Sequence, residues 1–138
     1  MSTLSKDFNV SQVMLPVGSF PIVDNSTILK EVLEKMDVNG MGIACIVGDK
    51  KELLGVITDG DVRRKLSTFQ KPLVAFFIDD AINQAIKSPI TTSSNTSLFD
   101  AVILMEKKKI WDLPVVDNGT LVGLLHLHAA IKILLESA

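Results

Sequence analysis

The sequence predicts an α/β (α+β) protein made of two pseudo-symmetric repeats, each helix-strand-strand-helix, packed through their sheets. Three observations lead there. A polar cluster opening an amphipathic stretch occurs twice: residues 25–33 (NSTILKEVL) match residues 95–103 (NTSLFDAVI), 70 positions on. A short apolar run around a glycine also occurs twice, residues 53–57 (LLGVI) against 121–125 (LVGLL), 68 positions on, and such internal similarity marks a duplicated structural unit. The interior must also be aliphatic, because the chain is 47% hydrophobic yet has no Tyr, one Trp and six Phe, which favours strand and helix packing over an aromatic cage.

The elements follow in order. In the first copy the Asn25, Ser26 and Thr27 cluster can cap free backbone N–H groups, and Ile28, Leu29, Val32, Leu33 and Met36 recur at helical spacing. The second copy offers Leu98, Phe99, Val102, Ile103 and Met105. An apolar strand comes next (residues 43–47 and 113–116), then a polar turn (49–52 and 117–120), a second strand, and a final helix over 61–68 and 128–136. The last of these carries Ile131, Ile133, Leu134 and Leu135. Between the copies, Lys71-Pro72 and Ser88-Pro89 punctuate the chain, and residues 79–86 read as a short connecting helix. The resulting organisation is an N-terminal tail over 1–9, a first repeat over 10–70, and a second repeat with the connecting segment over 71–138. One unit is too small to bury both faces of its sheet, whereas two packed face to face share a core and leave clefts where strand ends meet.

Composition narrows the function. A formal net charge of −2 provides no field that gathers nucleic acid or an acidic membrane surface. No apolar run approaches the roughly 18 residues needed to cross a bilayer, and the first ten residues lack the basic-then-apolar order of a signal peptide, so the expected location is cytoplasmic. The single cysteine, Cys45, lies in an apolar run and reads as an inert core thiol. Met36, Met41, Met105 and Trp111 read as packing residues, and Lys107, Lys108 and Lys109 as the solvated cationic end of a helix.

The informative stretch is the strand-to-helix turn over residues 58–61 (TDGD), followed by Arg63 and Arg64. A helix N-terminus carries free N–H groups and partial positive charge, which suits phosphate. Gly60 would let backbone approach a ligand closely. Arg64, three residues after Asp61, shares its side of the helix, whereas Arg63 points elsewhere. The same residues also allow a plainer reading: Asp61 caps the helix, Thr58 packs at a strand end, and Arg64 makes a surface pair with Asp61. Asp59 and Asp61 could suggest paired carboxylates for acid–base work or Mg²⁺, but no nucleophile or base accompanies them and the spacing fits a turn. His126 and His128 lack a third ligand at a recognisable spacing, so no metal and no catalytic residue is assigned.

Over residues 10–135 the chain is similar to a CBS-domain pair. The resemblance rests on residues 55–64 (GVITDGDVRR), 113–117 (LPVVD) and 123–128 (GLLHLH) in the two copies. Within that family it resembles the C-terminal pair of arabinose 5-phosphate isomerases, to which the TDGDVRR phrase and the later HLH point. The resemblance implies a regulatory module rather than an enzyme: in those isomerases a preceding sugar-isomerase domain carries the chemistry, and this chain begins too late to contain one. It also implies a ribose-binding signature, matched here by Gly55, Thr58 and Asp61, since an ionised carboxylate can accept both hydroxyls of a ribose. Of the two arginines Arg64, on the side of Asp61, is the phosphate candidate, and by analogy with other CBS pairs Ile90 and Thr91, in the opening strand of the other repeat, would meet the base. The second copy departs from the pattern: Ala129 stands where ribose recognition wants Asp, and His126 where it wants Thr.

The expected ligand is therefore nucleotide-like (AMP, ADP, ATP or a cytidine-linked sugar acid), with no cofactor. The expected partners are a sugar-isomerase domain in cis or in trans and a second copy in a homodimer. The alternative is a structural dimerisation module with a vestigial pocket.

Overall fold

The protein is described from a computed structural model, which covers residues 8–70 and 72–136. The elements run β1 (Leu15–Pro16), β2 (Ile22–Asp24), α1 (Leu29–Asn39), β3 (Ile43–Val47), β4 (Leu53–Thr58), α2 (Asp59–Thr68), α3 (Leu73–Ile78), α4 (Leu98–Lys108), β5 (Asp112–Asp117), β6 (Thr120–His126) and α5 (Leu127–Glu136). Short 3-10 helices stand at Val10–Gln12 and Ala81–Gln84. The chain forms two compact units: one is Gly18–Pro89, the other combines the segment up to Val17 with Ile90 onward.

In the Gly18–Pro89 unit, β2 pairs parallel to β3 across the α1 crossover, and β3 pairs antiparallel to β4 through a tight turn. Every residue of β3 is buried, as its unbroken apolar sequence requires of a strand covered on both faces. Leu29, Val32 and Met36 of α1 pack on Ala44, Ile46 and Ile57. The left-handed Gly40 (φ 63°) closes α1, its N–H returning to Asp37 and Met36 carbonyls. The polar cluster before α1 does not cap it. Asp24 Oδ1 instead gathers the Ser26 amide, the Ser26 hydroxyl and the Thr27 hydroxyl at 2.8–3.0 Å, while the Leu29 N–H finds the Asp79 carbonyl at 2.9 Å.

The other unit repeats the plan. β5 pairs antiparallel to β6, and Thr92 makes a parallel bridge to Val115 where the first copy has β2. Leu98, Ala101 and Met105 of α4 pack on Leu113, Val115 and Leu125. Ser97 caps α4, accepting from the Asp100 N–H, and Lys109 (φ 55°) holds the left-handed closing position that Gly40 holds in α1.

The leading segment of each sequence repeat packs in the unit built from the other. Residues 8–16 precede the first copy but serve the second: Val10 N–H donates to Thr96 O at 2.9 Å, Leu98 N–H to Phe8 O at 2.7 Å, and β1 pairs with β6. Residues 79–86 precede the second copy but serve the first: Ala81 N–H donates to Thr27 O at 2.9 Å, Leu29 N–H to Asp79 O at 2.9 Å, and Ile86 bridges Val56. Val10 and Ala81, equivalent residues, are fully buried in their respective cores. Compact units and sequence repeats are thus offset along the chain. Of the tail expected over 1–9, residues 1–7 lie outside the described residues, as does Lys71, while Asn9 bridges Ser97.

Two expectations are corrected. The connecting helix expected over 79–86 is only the 3-10 turn Ala81–Gln84, because Asp79 and Ala85 are extended and Ile86 turns to pair with Val56. A true helix, α3, lies just before it and packs Phe76 in the core against Phe69 and Phe77. Trp111, expected as packing, is 61% exposed and stacks only one side on His128. Among the described residues no helix is long and apolar enough to cross a membrane.

Candidate functional site

β4 ends and α2 begins at Thr58, whose extended backbone (φ −119°, ψ 158°) makes it the N-cap. Its hydroxyl works in both directions, accepting from the Asp61 N–H at 3.2 Å and donating to Asp61 Oδ2 at 2.7 Å. Thr58, not Asp61, is therefore the cap. Asp61 sits one turn in, 8% exposed, and is the buried charged residue among those described. Its other oxygen, Oδ1, accepts from Arg64 Nη2 at 2.8 Å, so the pairing read from the three-residue spacing is present. A carboxylate in the first turn of α2 also meets the positive end of the helix dipole.

Glycines shape the surroundings. A Cβ on Gly60 would lie 3.1 Å from both Nη atoms of Arg64, so the space beside Gly60 holds the guanidinium. A Cβ on Gly42 would lie 2.8 Å from Asp59 Oδ2, and the Asp59 N–H donates to Gly42 O at 3.0 Å, tying the helix start to β3. Gly55 has a packing role: a Cβ there would meet Ile86 O at 2.9 Å and Ala85 Cβ at 3.1 Å. The glycine of the 55–61 signature thus admits the exchanged segment to the edge of β4.

Thr58, Gly60, Asp61 and Arg64 are brought together within one turn. Ile90 and Thr91 lie in the other compact unit, exposed, in the irregular segment before the Thr92 bridge. Arg63 is exposed on α2. Chemically the turn offers a carboxylate with unused lone pairs and a guanidinium with unused N–H donors, a combination suited to holding hydroxyls and anions.

The second copy builds a different turn. Leu127 N–H donates to Trp111 O at 2.9 Å, as Asp59 does to Gly42, so the backbone plan is preserved. In place of a Thr-Asp pair, His126 Nδ1 lies 2.7 Å from Asp112 Oδ1, its cross-strand partner in register. His128 lies between neighbours, stacked on Trp111 with ring centroids 5.7 Å apart and tilted against His126 at 5.3 Å. Sequence reasoning missed Asp112. The available signal was the register of β5 against β6, which sets residue 112 opposite 126.

The fold and this turn define a class: a duplicated α/β module whose two copies share a backbone plan and differ at the strand-to-helix turn. The CBS domain model matches residues 10–68 and 72–136, and the chain belongs to the CBS-domain family. It is 31% identical to a protein of Chlamydia trachomatis over 133 residues, covering 94% of this chain and 40% of the relative. It is 30% identical to an arabinose 5-phosphate isomerase of Francisella tularensis over 126 residues, covering 90% of this chain and 37% of the enzyme. The chain thus spans about two-fifths of the length of these curated relatives. Among solved structures it is similar to CBSX2 in complex with AMP, with a TM-score of 0.82, 26% identity, and coverage of 94% of this chain and 97% of that one.

Proposed function

We propose that the chain is a regulatory module that binds a nucleotide or sugar nucleotide and reports it to a sugar-phosphate isomerase or related enzyme, in cis or in trans. One observation carries the reading: Asp61, a buried carboxylate hydrogen-bonded into a strand-to-helix turn with a cation beside it. Asp61 accepts the hydroxyls of a ribose, Thr58 orients Asp61, and Arg64 with the N–H groups near Gly60 takes the phosphate. The AMP complex of the similar CBSX2 supports an adenine nucleotide; for a cytidine-linked sugar acid as the other ligand class, the support is the resemblance to the isomerase branch alone. For Ile90 and Thr91 as base contacts, the support is the family resemblance alone. Ala129 leaves the second turn without a ribose acceptor, so ligand binding through the first turn dominates.

The test is a thermal-shift titration of the chain and its Asp61→Ala variant with AMP, ADP, ATP, CMP and a cytidine-linked sugar acid. A ligand near 100 times its dissociation constant adds roughly 2.7 kcal/mol. Stabilisation by one ligand, lost in the variant, upholds the reading. Absence of any shift overturns it in favour of a second reading, a dimerisation module with a vestigial pocket. That reading draws on α3, where Leu73, Val74 and Ile78 are each more than half exposed on a short, wholly apolar helix.

A further inference from the structure

Both oxygens of the Asp61 carboxylate are engaged by the chain's own donors, Oδ2 by the Thr58 hydroxyl and Oδ1 by Arg64 Nη2. The two engagements differ in kind. Thr58 is fixed at the end of a strand, whereas the Arg64 side chain is 61% exposed against 10% for Asp61, a cation reaching in from solvent to a buried anion. Gly60 gives the guanidinium room, since a Cβ there would lie 3.1 Å from both Nη atoms.

Resting on the function proposed above, we infer that Arg64 determines specificity by acting as a latch: it closes on Asp61 until a ligand phosphate draws it off, so the turn favours phosphorylated ligands over the corresponding nucleosides. A ribose hydroxyl approaching Oδ1 must displace or share the guanidinium hydrogen bond. A nucleoside leaves the displaced cation only water to pair with. A phosphate offers the planar guanidinium two-point acceptance, a match that guanidinium makes better than ammonium. Opening the latch is then compensated only when diol and anion arrive on one molecule, and the two recognitions are coupled, each strengthening the other.

The experiment is an NMR titration of the full chain and of its Arg64→Met and Arg64→Lys variants with AMP, adenosine, CMP and cytidine, following the Thr58 and Asp61 amides. An ion pair with one exposed partner is worth about two- to five-fold in an equilibrium, so Arg64→Met is expected to bind nucleosides about two- to five-fold tighter than wild type. The same variant loses a charged hydrogen-bonding partner for phosphate and binds nucleotides about ten-fold weaker or more. Arg64→Lys falls between in both directions. A residue that only supports the fold would move both ligand classes the same way. If Arg64→Met weakens nucleosides too, or binds them no better than wild type, undetectable binding included, the latch is overturned while the proposed function stands. If wild type binds none of the four, the latch is overturned, and the thermal-shift titration with ADP, ATP and the cytidine-linked sugar acid decides the proposed function on its own.

Discussion

Replacing Gly55 with alanine puts a methyl group where the exchanged segment crosses β4. Its Cβ would stand 2.9 Å from a backbone oxygen, Ile86 O, and 3.1 Å from Ala85 Cβ, so no flexible side chain can give way. The segment must retreat by a few tenths of an ångström, straining the two bridge bonds between Val56 and Ile86, each 3.0 Å long. Overpacking of this kind costs about 1–3 kcal/mol, and weakening the bridge adds up to about 1 kcal/mol. The lower chain entropy of alanine in the unfolded state returns about 0.4–1 kcal/mol. The net loss is about 1–3 kcal/mol. For a chain of 138 residues unfolding cooperatively, that lowers Tm by about 4–10 °C. Scanning calorimetry gives the shift, and hydrogen exchange locates it: the Val56 and Ile86 amides should lose protection first. Gly60→Ala is the control, because its Cβ meets only the mobile end of Arg64: the same entropy gain is not offset by backbone overpacking, so its Tm should match or exceed that of wild type. A Gly55→Ala chain with unchanged Tm and full protection at Val56 and Ile86 would refute the packing role of this glycine.

Asp61→Ala removes the acceptor for two donors and should lower stability by about 1–2 kcal/mol in urea titration, while abolishing ligand-induced stabilisation. Leu98→Ala empties a fully buried site beneath β5 and should lower stability by about 2–5 kcal/mol, against less than about 0.5 kcal/mol for Leu135→Ala on an exposed position of α5. Asp117 is held below the ordinary carboxylate value of 3.8, first by the Ser94 hydroxyl and then by the Ser94 amide. A lowered folded pKa contributes stability above the unfolded value and loses it as pH falls through the folded one, so wild type should exceed Ser94→Ala in Tm at pH 6 and the two should converge below about pH 3.8. A chain lacking residues 1–16 loses Val10 from one core and β1 from β6, so amides of β5 and β6 should lose protection before those of β3.

Local features were legible in the sequence. The helices of both copies announced themselves through periodic apolar residues, and β3 through five consecutive apolar ones, because burial dictates those patterns directly. Thr58, Asp61 and Arg64 could be read together since seven residues at one turn fix their mutual placement, although the choice of Thr58 as cap needed the backbone angles. Features set by pairing across the chain stayed hidden. The match between residues 10–14 and 81–85 is carried by little more than small and apolar residues, too weak to announce that each segment joins the unit of the other copy. The packing role of Gly55, beside its place in the ligand signature, could not be read because the segment that requires it lies about thirty residues away in sequence. Helix α3 escaped notice since six apolar residues have no period to read.

The exchange of leading segments bears on how such a chain could have arisen and why its two copies stay covalently joined. A single ancestral repeat of this plan, carrying its own leading segment, completes its core only by lending that segment to a second molecule and borrowing one in return, which is a domain-swapped pair assembled at a rate set by concentration. Duplication into one chain makes the exchange intramolecular, and the tether supplies each segment at an effective concentration of the order of millimolar. Either copy can then differ at its recognition turn, as the turn around Ala129 does from that around Asp61, while still being required by the other as the donor of the segment that completes its core.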